Sequence, residues 1–430
     1  MKMYGDKSIG LYGPEDTTSI NNSTVGPVNG NFAVSIGNDG ALADNKITTY
    51  ASMTTANTSS APTEFTTAGT PGSFTINNDK YTDQAYGIYS LIPIDFEKDT
   101  AGTGTGKKDI ENGHEITLNQ YSKNSIGVLP GNSTSIKLGK GKIELKGGSD
   151  NTGIIVGGTN TVAGATSTDG KVTGDVVKIT GDNRNDRGNR AIFAGNSAKN
   201  EVTVNAVVST DATNSITLVA DKGAKITVND TASTPTIIGS SGVSTKAGVN
   251  ISGSIFKYDS TRVKSKTDLN SSDNVGAVYA NKDAEITINR TSRPLPANIA
   301  ITGGKDHDDN YVGFGLFAKD GAKIKADYNK VKAVDTGAAI ASVGKDGSTA
   351  SSIILDNGEV YYKGSGFALF TKDGGEISLQ SGKLTLDGKA TGFSVDYTAA
   401  TQPINLTGTQ VDIDSDDAIL MSVKNVTSLG

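Results

Sequence analysis

Cysteine and tryptophan are absent from this 430-residue chain, which has only 2 histidines and 10 prolines. Without cysteine there can be no disulfide framework, thiolate zinc site or thiol nucleophile. The two histidines, His114 and His307, lie far apart in sequence, so a His-rich metal centre or His-based catalysis would need a long-range coincidence. No apolar stretch approaches the roughly 18 residues of a membrane-spanning helix. The greasiest run, residues 91–96, is short and interrupted by Pro93. Basic excess is missing as well: 40 Lys and Arg stand against 46 Asp and Glu, for a net charge of −6. That balance argues against a nucleic-acid partner. Hydrophobic residues at 35% and aromatics at 6% are thin for a single thick core.

Glycine is abundant, at 53 residues, together with Asn, Thr and Ser. This is not the charged, proline-rich profile of a disordered chain, and it suggests a thin core repeated many times. Self-comparison shows the repeat. Residues 218–228 read LVADKGAKITV, and the same cassette returns at 278–288 (VYANKDAEITI), 316–326 (LFAKDGAKIKA) and 369–379 (LFTKDGGEISL). Looser copies lie at residues 9–13, 87–89, 126–129, 191–194, 339–341, 392–395 and 418–421. In the C-terminal third the aligned positions Gly313, Gly337, Gly366, Gly392 and Asp417 recur at near-equal intervals. Each period of about 25 residues holds three short alternating strands between Gly, Asp and Asn turns, the pattern of a β-solenoid coil.

The pattern has a direct physical basis. Strands of four or five residues bury alternate side chains, here Ile377 and Leu379, then Leu384 and Leu386. One coil cannot cover its inward face, but stacked coils form continuous aliphatic ladders. Gly and Asn suit corners of positive φ, and Asn can ladder along the stack. Proline is scarce because nearly every strand must donate to a neighbour. The sequence therefore predicts an all-β fold, a right-handed parallel β-helix with about three short strands per coil. About 14 to 16 coils at roughly 4.8 Å each would make a rod about 70 Å long. An array of two-sheet sandwiches is the other all-β reading, and the short period argues against it.

Residues 1–430 are thus expected to form one continuous segment with five excursions, at 41–73, 91–113, 157–190, 229–274 and 289–311. Function in a solenoid sits on such departures from the stack. Arg184, Arg187 and Arg190, three apart, could grip an acidic group or a glycan sulfate, or could form a solvated loop with local pairing. Leu91, Ile92, Ile94 and Phe96 are either a protruding contact patch or a buried strand. Asp306, His307, Asp308 and Asp309 could hold calcium, although a solvated acidic loop is the plainer reading. The alternation of Asp412, Asp414, Asp416 and Asp417 with Val411 and Ile413 looks like the outer face of a strand. The run from Gly102 to Lys108 lacks the order of a phosphate loop, and no Gly-x-Ser-x-Gly elbow occurs. These residues predict no enzyme, no cofactor and no catalytic or metal site.

The repeated Phe-Ala-Lys-Asp-Gly-Ala-Lys-Ile cassette at 317–324, the Gly/Asn/Thr-rich coils and the lack of cysteine resemble the passenger region of Gram-negative autotransporters. The chain is most similar to the large autotransporter adhesins of fusobacteria. The resemblance spans most of the chain as texture and is strongest over residues 275–386. It implies type V secretion, an outer-membrane anchor and display of a virulence-associated cell-adhesion rod on the cell surface. In that family a signal peptide precedes the passenger and a membrane β-barrel follows it. Neither pattern occurs in this sequence, so an internal or N-terminal passenger piece is expected, held at the membrane only through a barrel outside this chain. Passenger proteases of this secretion type carry Gly-Asp-Ser-Gly, which nothing here matches. The expected protein is a monomeric adhesin fragment whose loops bind a host-cell or bacterial surface protein or glycan, and no nucleic acid. A spacer stalk and a secreted β-helix polysaccharide lyase or hydrolase are the alternatives.

Overall fold

The computed structural model describes residues 276–293, 297–305, 311–396 and 403–424 without a break. It also describes residues 115–229 with short gaps, residues 238–241, and short strand segments before residue 115. All regular elements among the described residues are β-strands, with no helix.

Three large sheets account for almost all of them, one of 13 strands and two of 12. Along the chain, strands enter the three sheets in rotation. Phe314–Lys319 joins one, Lys323–Lys325 the second and Lys330–Val334 the third, before Ala338–Val343 returns to the first. Neighbours within each large sheet are parallel. The antiparallel pairs are local hairpins, such as Gly304–Lys305 with Tyr311–Val312 and Lys345–Asp346 with Thr349–Ala350. Parallel pairing excludes the sandwich array for the described residues, because sandwiches are built from antiparallel sheets. Regular parallel stacking of this kind is consistent with a β-solenoid.

The apolar pair that opens the cassette populates a single sheet, and the alternating strand that closes it, such as Lys225–Asn229 or Lys323–Lys325, joins another. All copies of the pair in the sequence fall in that single sheet, from Ile9–Gly13 to Ile419–Lys424. In register, Phe314 faces Ala338, Ala338 faces Phe367, Phe367 faces Thr391 and Thr391 faces Ile419. The last two strands are thus set by Thr391 and Ile419, and the spacing expected from Gly392 and Asp417 does not hold there. Gly392 sits within the strand Thr391–Asp396, opposite Ala368, and Ala390 takes the position that Gly366 holds one strand earlier. Small residues fill that column from Ala277 to Gly392. A Cβ on Gly315 would lie 2.7 Å from the Ala339 carbonyl oxygen and 2.8 Å from Val331 Cγ1.

The hydrophobic pair in the cassette divides between two faces. Leu316 and its neighbours Val278, Ile340 and Leu369 belong to one continuous inner core that runs from Ile116 to Ala390. Adjacent Phe317 points the other way into a smaller cluster with Tyr279, Phe314, Ala341 and Phe370. Its rings pack tilted, with centroids 5.0 to 5.9 Å apart for Tyr279, Phe314 and Phe317. Such pairs add about 0.5–1.5 kcal/mol beyond buried area. Sequence reasoning anticipated one narrow core and missed this second one. Ile377, Leu379, Leu384 and Leu386 are all buried in the inner core, as the alternation predicted.

At the corners Gly takes the positive φ expected of it, and so do Asn124 and Asn357. Positive φ falls mainly on Asp, Lys and Gly, including Lys222 and Gly223, Lys282 and Asp283, Asp320 and Gly321, and Asp373 and Gly374. These left-handed pairs form the tight turn of the cassette, closed by bonds such as Ala322 N–H to the Lys319 carbonyl. Asn also ladders between strands. Asn289 Nδ2 donates to Asn229 Oδ1 at 3.0 Å, and Asn229 Nδ2 donates to Asn205 Oδ1 at 2.7 Å.

The intervals read as excursions contain strands of the stack. Residues 41–73 include Phe65–Thr66, and residues 91–113 include Ile94–Asp95. Residues 157–190 supply Thr159–Thr166 to one large sheet and Asp175–Gly181 to another. Ile238–Ser241 lies within 229–274 and Ile299–Thr302 within 289–311. At those positions the chain pairs within the large sheets. Several of these strands are rich in Thr, Ser and Gly, such as Thr159–Thr166 and Ile238–Ser241, which read like loop composition.

Candidate functional site

Of the arginine trio only Arg190 lies among the described residues; Arg184 and Arg187 fall outside them. Arg190 is in the strand Asn189–Ala194, and its guanidinium lies 5.4 Å from the centroid of the Phe193 ring. Burial lowers its pKa, against the opposing pull of Asp150 and Asp221. A guanidinium stacked on a ring and half buried is packing as well as charge. Ile94 lies in a strand between Phe65 and Ile136 of the neighbouring strands. Leu91, Ile92 and Phe96 lie outside the described residues, as do residues 102–108 and Asp306, His307, Asp308 and Asp309.

The most developed surface feature lies elsewhere, on the outward face of the thirteen-stranded sheet. Three adjacent strands form it: Lys330–Val334, Glu359–Lys363 and Lys383–Asp387. In each, alternate residues turn inward. Val331, Val360 and Leu384 make one buried column, and Ala333, Tyr362 and Leu386 make the next. The residues between them turn outward in register. Lys330, Glu359 and Lys383 form one column, and Lys332, Tyr361 and Thr385 form the second. Together with Ala297 they line a groove of about 340 Å³.

Fixed side chains set the shape of this groove. Lys330 Nζ pairs with Glu359 Oε2 at 2.8 Å, and Lys383 Nζ with Asp412 Oδ2 at 2.8 Å. The Tyr361 hydroxyl donates to Asp387 Oδ2 at 2.7 Å, and Lys363 donates to the same oxygen at 3.0 Å. Lys332 Nζ lies 5.9 Å from the centroid of the Tyr361 ring and pairs with no carboxylate among the described residues. Arg293 crosses the neighbouring corner. Its Nε donates to the Asn357 carbonyl, its Nη2 to the Ser381 carbonyl at 2.7 Å, and its Nη1 lies 3.9 Å from Glu359 Oε1.

The electrostatics follow from these contacts. Hydrogen bonds from Tyr361 and Lys363 hold Asp387 below the usual carboxylate range, and those from Lys383 and Gln410 do the same for Asp412. The bond to Asp412 raises Lys383. Burial, then the bond and charge of Asp387, push the Tyr361 phenol up to about 12. At neutral pH Tyr361 is therefore a fixed, protonated ring rather than a base. The groove presents three lysines and one glutamate, a local excess of positive charge on a chain whose net charge is −6.

Sequence reasoning missed this site, since its residues occupy the third strand of each period rather than an excursion. The signal was present in the outward alternation of residues 330–334, 359–363 and 383–387, once those strands are set in register. Asp412, read as the outer face of a strand, does project outward, to its pair with Lys383. Comparison of the chain with protein-family models, with curated proteins and with solved structures gives no match.

Proposed function

We propose that the chain is a right-handed parallel β-helix with about three short strands per turn, serving as the surface-exposed binding segment of an autotransporter-type adhesin. Handedness rests on the crossover rule, which holds in about 98% of parallel connections. The longest sheet, with 13 strands, corresponds to a rod about 60 Å long at about 4.8 Å per strand. The observation that carries the reading is the set of outward columns. Side chains far apart in sequence line up along a rigid support and make a shaped, charged groove without help from a long loop. Secretion through an outer-membrane barrel, display at the cell surface and a protein or glycan partner on a host or bacterial cell belong to this reading. So does a monomeric state.

The test is binding of the purified chain to epithelial and bacterial cells. Two deletions are informative, 97–113 and 167–168, chosen to spare Ile94–Asp95 and Glu115–Asn119 and to leave a three-residue turn between the paired strands Thr159–Thr166 and Val172–Thr173. Saturable binding is expected, weakened by the deletions if loops contribute, with unfolding transitions unchanged. Absence of saturable binding by the intact chain would favour the spacer stalk.

A second reading, a secreted β-helix polysaccharide lyase or hydrolase, draws support from the same groove of Lys and Glu beside Arg293. Its weakness is that Tyr361 is held as a phenol while Lys330 and Lys383 are engaged in ion pairs, which leaves no poised base. Release of reducing ends or unsaturated products from a glycan panel would establish it.

A further inference from the structure

The groove on the thirteen-stranded sheet combines features that together specify a ligand. Its cations attract an anionic group, and Lys332 is exposed with no carboxylate to satisfy it among the described residues. Lys330 and Lys383 lie in surface ion pairs, which are worth only about 0–1 kcal/mol each, so a ligand anion can compete for them. A simple anion site would have no use for Glu359, however. A carboxylate acceptor set among lysines suits a ligand that carries hydroxyl donors as well as negative charge. Thr385 adds a hydroxyl that can donate or accept. Between them stands the Tyr361 ring, its orientation fixed by the bond to Asp387, so little ordering entropy is lost when a ligand packs against it. At about 340 Å³ the groove falls at the small end of small-molecule sites, which span roughly 300–1,000 Å³.

We propose that this groove binds an acidic saccharide, with Lys332, Lys330 and Lys383 facing its carboxylate or sulfate, Glu359 and Thr385 its hydroxyls, and Tyr361 one apolar face of the sugar ring. The ligand class deepens the surface-binding reading, on which it rests for its biological meaning, and the groove makes the site a property of the stack rather than of a loop.

Titration calorimetry of the full chain tests it with four probes: a galacturonate oligosaccharide, a sulfated oligosaccharide, a neutral cello-oligosaccharide and inorganic polyphosphate. Binding of the uronate or the sulfated sugar is expected, weakening as salt rises, with the stronger of the two identifying the anionic group. Lys332→Gln should weaken it about tenfold and Lys332→Arg much less. Tyr361→Phe should retain binding within about threefold, whereas Tyr361→Ala should abolish it, with circular dichroism confirming that both variants are folded. Equal binding of the neutral sugar, equal binding of polyphosphate, or full binding by Tyr361→Ala would each overturn the proposal. Cell binding distinguishes the two levels. If cells are bound but no acidic sugar is, the groove assignment fails and the adhesin reading stands. If the sugar is bound but no cell is, the adhesin reading fails and the groove stands.

Discussion

Tyr361 and Tyr362 are neighbours on one strand and point to opposite faces, which makes them a controlled pair for testing how the stack is held. Tyr362 is fully buried. Its hydroxyl donates to the Thr336 carbonyl at 2.6 Å and accepts from the Gly366 N–H at 2.8 Å. These two bonds tie together the corners that precede the neighbouring strands Ala338–Val343 and Phe367–Lys372. Tyr362→Phe keeps the ring and removes both bonds, leaving a buried N–H and a buried carbonyl without this partner. An unsatisfied buried group costs about 1–3 kcal/mol, so the substitution should destabilise by about 2–4 kcal/mol. Tyr361→Phe removes one bond, to a carboxylate on the solvent face, and should cost less than about 1 kcal/mol. Urea unfolding of both variants at equal m-value, with amide exchange at Gly366, measures the contrast. A single hydrogen bond has a net worth of at least about 0.5 kcal/mol, so a Tyr362→Phe variant closer to the parent than that would mean that the parent hydroxyl makes neither bond. Such a result, or equal losses in the two variants, refutes the assignment of inward and outward faces on this strand.

Other outcomes follow from the corners, the core and the charges. Asp283 has φ of 59° at a corner where the equivalent residues, Gly223 and Gly321, are glycine. Asp283→Gly relieves a left-handed strain of about 1–2 kcal/mol against about 0.5–1 kcal/mol of extra chain entropy, so a gain of about 0.5–1 kcal/mol in urea unfolding is expected. Thr371 is buried in a column with Ala318, Ser342 and Val395, and its Oγ1 has no hydrogen-bond partner among the described residues. Thr371→Val should therefore raise Tm, and a fall would mean that the hydroxyl is satisfied. Asp387 and Asp412 have lowered pKa values, so their contribution is present above the ordinary carboxylate value near 3.9 and is lost as pH falls through the lower folded values. Lys383, raised, contributes below its ordinary value near 10.4 and loses that contribution as pH climbs through the higher folded value. Denaturant midpoints should thus be flat between about pH 5 and 9 and fall outside that window, with Asp387→Asn and Asp412→Asn together flattening the acid limb.

Much of this architecture is legible in the residues, and the gaps have physical causes. The cassette identified eleven of the twelve strands of its sheet, because a tight turn of left-handed residues demands the same short list of side chains each time. The strand it missed, Thr152–Ile155, runs into Val156, Gly157 and Gly158 instead of an Asp/Lys turn. Gly392 misled the register because glycine serves two columns, the residue before the strand and the cramped second position within it. Strands such as Asp175–Gly181 and Ile238–Ser241 passed for excursions because insertions around them hide the period. The groove could not be read residue by residue. Lys330, Glu359 and Lys383 belong to three successive periods, and only parallel register brings them side by side. The two apolar faces of the cassette sheet, one aliphatic and one aromatic, were likewise invisible, since an apolar pair such as Leu316 and Phe317 does not announce that its members point apart.

The groove and the proposed rod both require segments distant in sequence to lie in register on one stack, and the absence of cysteine makes that directly measurable. Thr227 faces Thr287 across the interval 230–275, with both side chains half exposed. Parallel strands about 4.8 Å apart place such a pair within the roughly 4.4–6.8 Å Cα separation of a disulfide. An offset pair, Thr227 with Glu285, would stand about 8 Å apart. Under mild oxidation the double variant Thr227→Cys with Thr287→Cys should close an intramolecular bridge rapidly, while Thr227→Cys with Glu285→Cys should not. Equal bridging of both pairs, bridging of the offset pair alone, or bridges only between molecules would contradict the in-register stack.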